Sequence, residues 1–427
     1  MKELKIKFRW ETEFKETEIG EIPREWKMKS LGEILAKIIK GKNPKKCLGD
    51  LPYLTAKYLR GEEEAEEFYN ETAGVLVDEN ETVIIWDGSN SGEVFKSKKG
   101  ILASTMCKLL FDEKVANKIY AFYVLKTNEE DIKSAKSGTD DRHVDKEYFL
   151  NLLIPLPPLP EQSRIATVLS WFDDLIEVKK RQNEILEKTA MAIFKSWFID
   201  FEPFRDGEFV YSEELEKEIP KGWEVKKLGE VVRIFKGISY KSDEKYQEYI
   251  EGSYVFITLD NFMRGGGFKT EYSWIKSERI KPSHLVKESD LIIALTDMTQ
   301  DAQVVGAPAI ITLPKDFEVG VISLDCMKVD PITEHLKYYL YIYLKNTQEE
   351  NSTFANGVNV LHLIINNFLS GKLILIPPSH ILQSFHSLVE PLFQKIILNQ
   401  KQIMTLRRIR DTLLPLLIFG KLRVEEV

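Results

Sequence analysis

An internal repeat limits this chain to two similar halves in tandem. The segment EIPREWKMKSLGEIL at 21–35 recurs as EIPKGWEVKKLGEVV at 218–232, with the Ile-Pro, Trp and Leu-Gly-Glu positions retained. Further along each copy, NLLIPLPPLPEQ at 151–162 corresponds to GKLILIPPSHIL at 371–382, so a pair of prolines aligns. A repeat of roughly 200 residues is too long for a solenoid. The pattern therefore predicts two homologous domains.

A long helix is predicted after each proline-rich segment. Apolar positions in both helices step by alternating four and three residues, as in the a/d seam of a coiled coil. The first seam is Ile165, Leu169, Phe172, Ile176, Lys179, Asn183, Leu186, Ala190, Ile193 and Trp197, and the second is Phe385, Val389, Leu392, Ile396, Asn399, Ile403, Leu406, Arg410, Leu413 and Leu417.

Two such helices in one chain can bury each other's seams. The alternative is that each is an ordinary amphipathic helix on its own domain. Their length, about 50 Å at ~1.5 Å per residue, favours an antiparallel coiled coil with a pseudo-two-fold axis. Lys179, Asn183 and Asn399 are polar seam positions of the kind that fix register, and Pro391 predicts a kink or a late helix start.

The fold class expected from these patterns is α+β. Strand-like runs occur at 81–95 and 289–306, and short aromatic helices are predicted at 117–127 and 335–345. Prolines push the preceding residue out of the α region, so each proline-rich segment separates a domain from its helix. The expected segments are a first mixed domain at 1–153, a first long helix at 154–200, a second mixed domain at 201–373 and a second long helix at 374–427.

Composition is typical of a multidomain globular protein of a reducing compartment. The chain has 427 residues, 43% of them hydrophobic, and three widely spaced cysteines without a Cys-x-x-Cys pair, which favours neither disulfides nor a zinc ribbon. The N-terminal segment is too charged for a signal peptide. A cytoplasmic location is expected.

The net charge of −8 is unevenly distributed. Between Lys37 and Arg60 the sequence has seven basic residues and one acid, Asp50, and the acidic run GEEEAEEFYNE that follows is expected to point elsewhere. This basic stretch is either a solvated lysine-rich loop or a surface that contacts phosphates.

The sequence offers no catalytic motif. It contains no Walker A loop, no Gly-x-Gly-x-x-Gly, no Asn-Pro-Pro-aromatic and no Cys/His metal spacing. Glu25-x-Lys27 and Glu224-x-Lys226 match half of a nuclease motif but lack its upstream partner. Asp140, Asp141 and His143 could act in acid–base chemistry, but the aligned NGVNVL has no such groups, so a polar contact surface is the preferred interpretation.

Three motifs carry a resemblance to a known family. IPLPPLPEQSRIATVL at 154–169, WFIDFEPF at 197–204 and FKETEIGEIPREW at 14–26 resemble the specificity subunit of type I DNA restriction–modification systems. The second proline-rich segment, IPPSHILQ, departs from this family by lacking the Glu-Gln pair.

The resemblance implies a non-catalytic DNA-binding subunit. Each recognition domain would read one half of a bipartite, asymmetric target on double-stranded DNA, and the helices would set the gap. No cofactor is expected on this chain; S-adenosylmethionine, ATP and Mg²⁺ would bind modification subunits, expected to be two, and a restriction subunit. A stand-alone DNA-modifying enzyme and a coiled-coil scaffold are the alternatives.

Base and phosphate contacts require Arg, Lys, Asn, Gln or acids on exposed loops. In the first half the expected contacts are Lys40, Lys42, Lys45 and Lys46 for phosphates, and Ser89, Asn90, Asp140, Arg142 and His143 for bases. In the second half they are Lys236, Ser239, Tyr240, Lys241, Asn261, Arg264, Thr296, Asp297, Gln300, Asn356 and Asn359.

Overall fold

The computed structural model describes residues 6–45, 47–61, 63–137, 143–299 and 301–426. It divides the chain into two compact units that cut across the four expected segments. The first unit contains the residues up to Asp174 together with those from Arg407 onward, and the second is Leu175–Leu406. Each long helix therefore contributes one part to each unit.

The first unit is built on two four-stranded sheets. One sheet has the strand order Val94–Lys96, Thr82–Ile85, Met106–Phe111 and Leu35–Lys40. The other has the order Phe68–Tyr69, Leu48–Leu54, Gly100–Leu102 and Leu76–Val77. Two-stranded pairs are Ile6–Trp10 with Leu422–Glu426, Phe14–Lys15 with Ile22–Pro23, Lys27–Ser30 with Leu153–Leu156, and Lys136–Ser137 with His143–Val144. Helices are Leu31–Ile34, Ala56–Arg60, Lys118–Thr127, Glu129–Ser134, Lys146–Asn151 and the start of Leu159–Phe194.

The second unit repeats this plan. Its four-stranded sheet has the order Val232–Lys236, Cys326–Pro331, Leu291–Ala294 and Pro308–Ile310. A five-stranded sheet has the order Lys245–Tyr246, Ser273–Ile275, Tyr254–Ile257, Val319–Ile322 and Leu285–Lys287, and a three-stranded one has Thr296–Asp297, Leu361–Leu363 and Ala355–Asn356. Two-stranded pairs are Phe209–Ser212 with Lys217–Pro220, and Glu224–Lys227 with Leu373–Ile376.

The helices of the second unit follow the same order as those of the first. They are the rest of Leu159–Phe194, then Leu228–Val231, Lys337–Asn346, Gln348–Ser352, Ile365–Gly371 and most of Ser379–Ile418. A π-helical turn at Lys195–Ile199 ends the first long helix, and 3-10 turns lie at Glu202–Phe204, Ser242–Glu244, Leu259–Asn261, Pro282–His284 and Glu334–Leu336.

Equivalent tyrosines anchor the aromatic helices that the sequence predicted. Tyr120 is fully buried, and its hydroxyl donates to the Pro155 carbonyl at 2.8 Å. Tyr339 is buried in the second unit and donates to the Leu375 carbonyl. A buried tyrosine hydroxyl needs a partner, so this bond fixes each aromatic helix to the strand that precedes the proline-rich segment.

The long helices are confirmed as Leu159–Phe194 and Ser379–Ile418, and none of the twenty seam side chains is exposed. The second helix begins twelve residues before Pro391, so the expected late start is wrong. Pro391 lies on the exposed side of that helix, where the carbonyl that loses its intrahelical bond can face water.

Within the second unit the two helices run antiparallel. The Lys179 ammonium group donates to Gln402 Oε1 at 2.5 Å, and Asn399 Nδ2 donates to Asn183 Oδ1 at 2.9 Å. Asn399 is fully buried, so displacing it from Asn183 would leave a polar group unpaired. The asparagine pair therefore selects one register, as the sequence predicted.

In the first unit the seam ends in a partly buried ionic network. Asp173 accepts hydrogen bonds from Lys96 at 2.8 Å, Tyr123 at 2.5 Å and Arg410 at 2.7 Å. Burial of Asp173 opposes ionisation, but the charges and donors of Lys96, Tyr123 and Arg410 outweigh it and lower the pKa of the carboxyl. Tyr123 lies on the aromatic helix, so the network ties both long helices to the body of this unit.

The Glu-Gln pair that begins the first long helix has a structural role. Arg423 Nε donates to Glu161 Oε1 at 2.5 Å and Arg423 Nη2 to Glu161 Oε2 at 2.7 Å, while Trp26 Nε1 donates to Glu161 at 3.2 Å. Gln162 accepts from the Asn117 amide at 2.7 Å and donates to the Pro157 carbonyl at 2.9 Å. We call the cluster of Glu161, Gln162, Trp26 and Arg423 the polar joint.

The second unit replaces the polar joint with apolar contacts. Ile381 and Leu382 stand at the aligned positions and pack on the core of this unit. Trp223 aligns with Trp26, and its ring contacts those of Phe198 at 5.8 Å and Phe204 at 5.2 Å. In the second unit an aromatic cluster, which needs no ionic partner, takes the place of the Glu-Gln pair.

Candidate nucleic-acid interface

Asp87 organises the predicted contact residues of the first unit. It follows the strand Thr82–Ile85, and its two carboxylate oxygens bind different partners: Oδ1 lies 2.7 Å from His143 Nδ1, and Oδ2 lies 2.7 Å from Lys40 Nζ. An antiparallel bridge also pairs the backbones of Asp87 and His143. The fold therefore brings together Lys40 at the end of its strand, Asp87 in the turn after Thr82–Ile85, and His143 on a hairpin.

Hydrogen bonds and charges of neighbouring side chains favour the ionised form of the Asp87 carboxyl group. Its burial opposes ionisation, but hydrogen bonds from Lys40 and His143 outweigh burial and lower the pKa of Asp87. The hydrogen bond between Lys40 and Asp87 also raises the pKa of Lys40. Side chains of Lys40 and His143 are 56% and 46% exposed, compared with 21% for Asp87. The cluster thus presents a cation and an imidazole to solvent above a half-buried carboxylate.

The remaining predicted contacts of the first unit lie on exposed loops. Lys42 and Lys45 are exposed, and among the described residues neither has a carboxylate within ion-pair distance. Ser89 and Asn90 occupy the exposed turn after Asp87. Lys46, Asp140 and Arg142 lie outside the described residues, as does Asp141.

The basic stretch at 37–60 is partly neutralised. Lys57 lies 3.5 Å from Glu63, and Arg60 Nε lies 2.9 Å from Glu93. Glu63 belongs to the acidic run, so the expectation that this run points away from the basic stretch is wrong at that residue. Of the predicted phosphate contacts, Lys42 and Lys45 have no ion pair among the described residues, whereas Lys40 is paired with Asp87.

In the second unit the equivalent hairpin is Ala355–Asn356 with Leu361–Leu363. Asn356 and Asn359 are exposed on it. Gly357 has φ +147°, and an added Cβ would meet the Val360 carbonyl oxygen at 1.9 Å, so only glycine fits this turn. The hairpin therefore has a fixed shape and an exposed tip.

Three predicted contacts of the second unit are corrected, because their side chains are buried and bonded within the unit. Asn261 is 1% exposed and donates to the carbonyls of Lys269 and Glu271. Asp297 accepts from the amides of Thr299 at 2.8 Å and Val304 at 2.7 Å. Thr296 donates to Asp325 at 3.1 Å. These groups shape loops and are unavailable to DNA.

Other predicted residues of the second unit lie at its surface. Lys236, Ser239 and Lys241 are exposed, and Arg264 binds Gln303 Oε1 at 3.3 Å. Tyr240 is half-buried with its ring 4.8 Å from that of Phe256, and burial raises the pKa of its hydroxyl. Gln300 lies outside the described residues.

Sequence reasoning missed Asp87 and His362. His362 is exposed on the second hairpin and pairs with Thr296 across the ladder, just as His143 pairs with Asp87. The Val144 amide donates to the Trp86 carbonyl at 3.0 Å, and the Leu363 amide donates to the Leu295 carbonyl at 2.8 Å. Aligning the two halves on Phe149 and Phe368 would have matched the histidines.

The described residues contain no group of His, Cys, Asp or Glu side chains arranged to hold a metal ion. None of the helices in the described part of the chain is both long enough and apolar enough to cross a membrane.

The fold and the duplicated hairpins define a class of tandem proteins: two mixed α/β units with a pair of long helices. Comparison with known proteins identifies the family. Residues 23–188 and 220–408 match the type I restriction modification DNA specificity domain, and the chain therefore belongs to this family.

Relatives align along the whole chain. It is 37% identical to the type I restriction enzyme MjaIX specificity subunit of Methanocaldococcus jannaschii and 32% identical to the MjaVIII specificity subunit of the same organism, and both alignments cover 99% of each protein. The crystal structure of a type I restriction–modification S subunit from M. genitalium superposes with a TM-score of 0.55 at 19% identity, covering 92% of this chain and 96% of that one. That structural match supports the fold.

Proposed function

We propose that this chain is the non-catalytic DNA specificity subunit of a type I restriction–modification complex, in which each unit reads one half of a bipartite target. The observation that carries the proposal is the duplication: the strand order of one four-stranded sheet recurs in both units, and each unit places a hairpin with a histidine beside the strand end at Asp87 or Thr296. Two copies of one recognition element are suited to binding the two half-sites of a DNA target.

The long helices would set the distance between the half-sites and bind partner subunits. Both helices keep apolar side chains exposed within the second unit: Leu175, Val178 and Ile185 on the first, and Leu388 and Leu398 on the second. Residues three and seven apart lie on one helix face, so Leu175, Val178 and Ile185 form an apolar stripe. This stripe is suited to a helix of a modification subunit, which together with a restriction subunit would supply catalysis.

Co-expression with modification subunits, followed by genome-wide mapping of methylated adenines, tests this function. One bipartite motif with a fixed spacer is the expected result. Methylation or cleavage by the purified chain alone would instead favour a stand-alone enzyme. Failure of the assembled complex to bind DNA would favour a scaffold.

Lys42 and Lys45 should contribute affinity without specificity. Replacing both with alanine should weaken binding to every duplex alike and reduce the slope of log K against log salt by about 2, because each phosphate contact releases roughly one counterion. The measurement is a salt titration of the complex on specific and scrambled duplexes. Lys57→Ala with Lys99→Ala is the matched control, since these exposed lysines are already paired with Glu63 and Glu71. Equal changes in slope for both double variants would contradict the assignment.

A further inference from the structure

Asp87 is held on a rigid piece of backbone. The amides of Trp86 and Asp87 both donate to the Thr105 carbonyl, at 2.8 and 3.1 Å, and the Trp86 ring packs edge-on against Phe149 at 5.6 Å. The turn that follows is closed by the Gly92 amide, which donates to the Ile85 carbonyl at 2.8 Å. A carboxylate fixed in this way can orient more mobile side chains that bind it.

The bond to Asp87 determines which atom of His143 is offered to a ligand. An ionised carboxylate only accepts hydrogen bonds, so His143 Nδ1 must carry the proton that lies between them. Nε2 then remains as the ring nitrogen that Asp87 does not occupy, and among the described residues it has no hydrogen-bond partner. The second carboxylate oxygen holds Lys40 beside the ring. An imidazole nitrogen and an ammonium group in a fixed relation can discriminate base edges better than two free side chains.

The second unit stabilises its hairpin differently. Thr296 and Asp297 pair through the backbone with His362 and Leu361, and the Asp297 carboxylate is used by amides of its own loop. Within the described part of this unit, neither Lys236 nor His362 forms an ion pair. The second hairpin therefore depends on a β-ladder, whereas the first depends on an exposed ionic cluster as well.

We propose that Asp87 is a positioning residue of the first unit, which fixes His143 and Lys40 in the orientation that reads the first half of the DNA target. The proposal rests on the proposed function and adds a residue that determines specificity in one half only. Asp87 contributes no favourable charge of its own toward DNA, since a carboxylate repels phosphates. Asp87 contributes by orienting His143 and Lys40.

The test uses the full chain co-expressed with its modification subunits in a host that lacks the corresponding methylation. The methylated motif is mapped for wild type, Asp87→Asn, His143→Ala and the double variant. Asp87→Asn should reduce the preference for one or more base pairs by about ten-fold, the size of a lost base contact. The loss should fall in one half of the motif and leave the other half and the spacer unchanged. The double variant should lose no more than the worse single variant, because Asp87 acts through His143.

Asp50→Asn is the matched control, because it removes the same charge from an exposed position of the same unit. It should leave the motif unchanged. The proposal is overturned if Asp87→Asn keeps the wild-type motif, relaxes both halves equally or behaves like Asp50→Asn. If Asp87→Asn does not accumulate, His143→Ala and Lys40→Ala decide: both must relax the same half. Absence of any motif for the wild-type complex would reject the proposed function itself, which separates the two failures.

Discussion

Replacing Arg423 with methionine should lower the free energy of unfolding of the first unit by about 3–5 kcal/mol, because it leaves the buried carboxylate of Glu161 without its cation. Arg423 binds Glu161 and Glu11, and the side chains of all three are at most 8% exposed. The guanidinium group also lies 5.3 Å from the Trp26 ring, an additional favourable contact. The measurement is urea unfolding combined with hydrogen exchange in the strands Ile6–Trp10 and Leu422–Glu426.

Lys99→Met is the control, since Lys99 lies in the same unit and its pair with Glu71 is exposed. Exposed pairs contribute about 0–1 kcal/mol, so this variant should remain close to wild type. Combining Arg423→Met with Glu161→Gln should recover part of the loss, because fewer buried charges are left unpaired. Equal losses for Lys99→Met and Arg423→Met would show that burial of the polar joint is unimportant.

Inserting one heptad into each long helix should lengthen the spacer of the methylated motif by about three base pairs and leave both halves unchanged. Seven residues add roughly 10 Å of helix at ~1.5 Å per residue, and the duplex rises ~3.4 Å per base pair. Suitable positions are after Asp174 in the first helix and after Leu406 in the second, where the chain passes from one compact unit to the other. A whole heptad preserves the seam.

Motif mapping of the assembled complex is the measurement. Inserting the heptad into the first helix alone is the control; it breaks the register that Asn183 and Asn399 select, so methylation should be lost. An unchanged spacer with two lengthened helices would show that the helices do not set the spacing of the target.

Features that depend on the regular spacing of residues were predictable from the sequence. The repeat gave two units, and the alternating steps of four and three gave the seams, since burial of an apolar stripe depends only on spacing. The consequence of Pro391 was not predictable, because the cost of a proline depends on whether the freed carbonyl reaches water. That depends on which side of the helix faces solvent in the folded chain.

Individual contact residues were harder to predict. Asn261, Thr296 and Asp297 have side chains suited to reading bases, but such short polar groups also bond to their own loops, and the sequence does not distinguish the two uses. Asp87 was missed because its partner His143 lies 56 positions away. The ionic cluster exists only once a strand end and a hairpin meet.

The pairing of strand Ile6–Trp10 with strand Leu422–Glu426 affects the order in which the two units can fold. Strand Ile6–Trp10 leaves the ribosome before the second unit does, but its partner Leu422–Glu426 leaves after that unit. The second unit, Leu175–Leu406, is complete before that partner has been synthesised. Since domains fold as units during translation, the second unit can finish folding first, whereas the first unit waits for Leu422–Glu426. Deleting strand Leu422–Glu426 would therefore destabilise the unit whose N-terminal part is translated before the second unit.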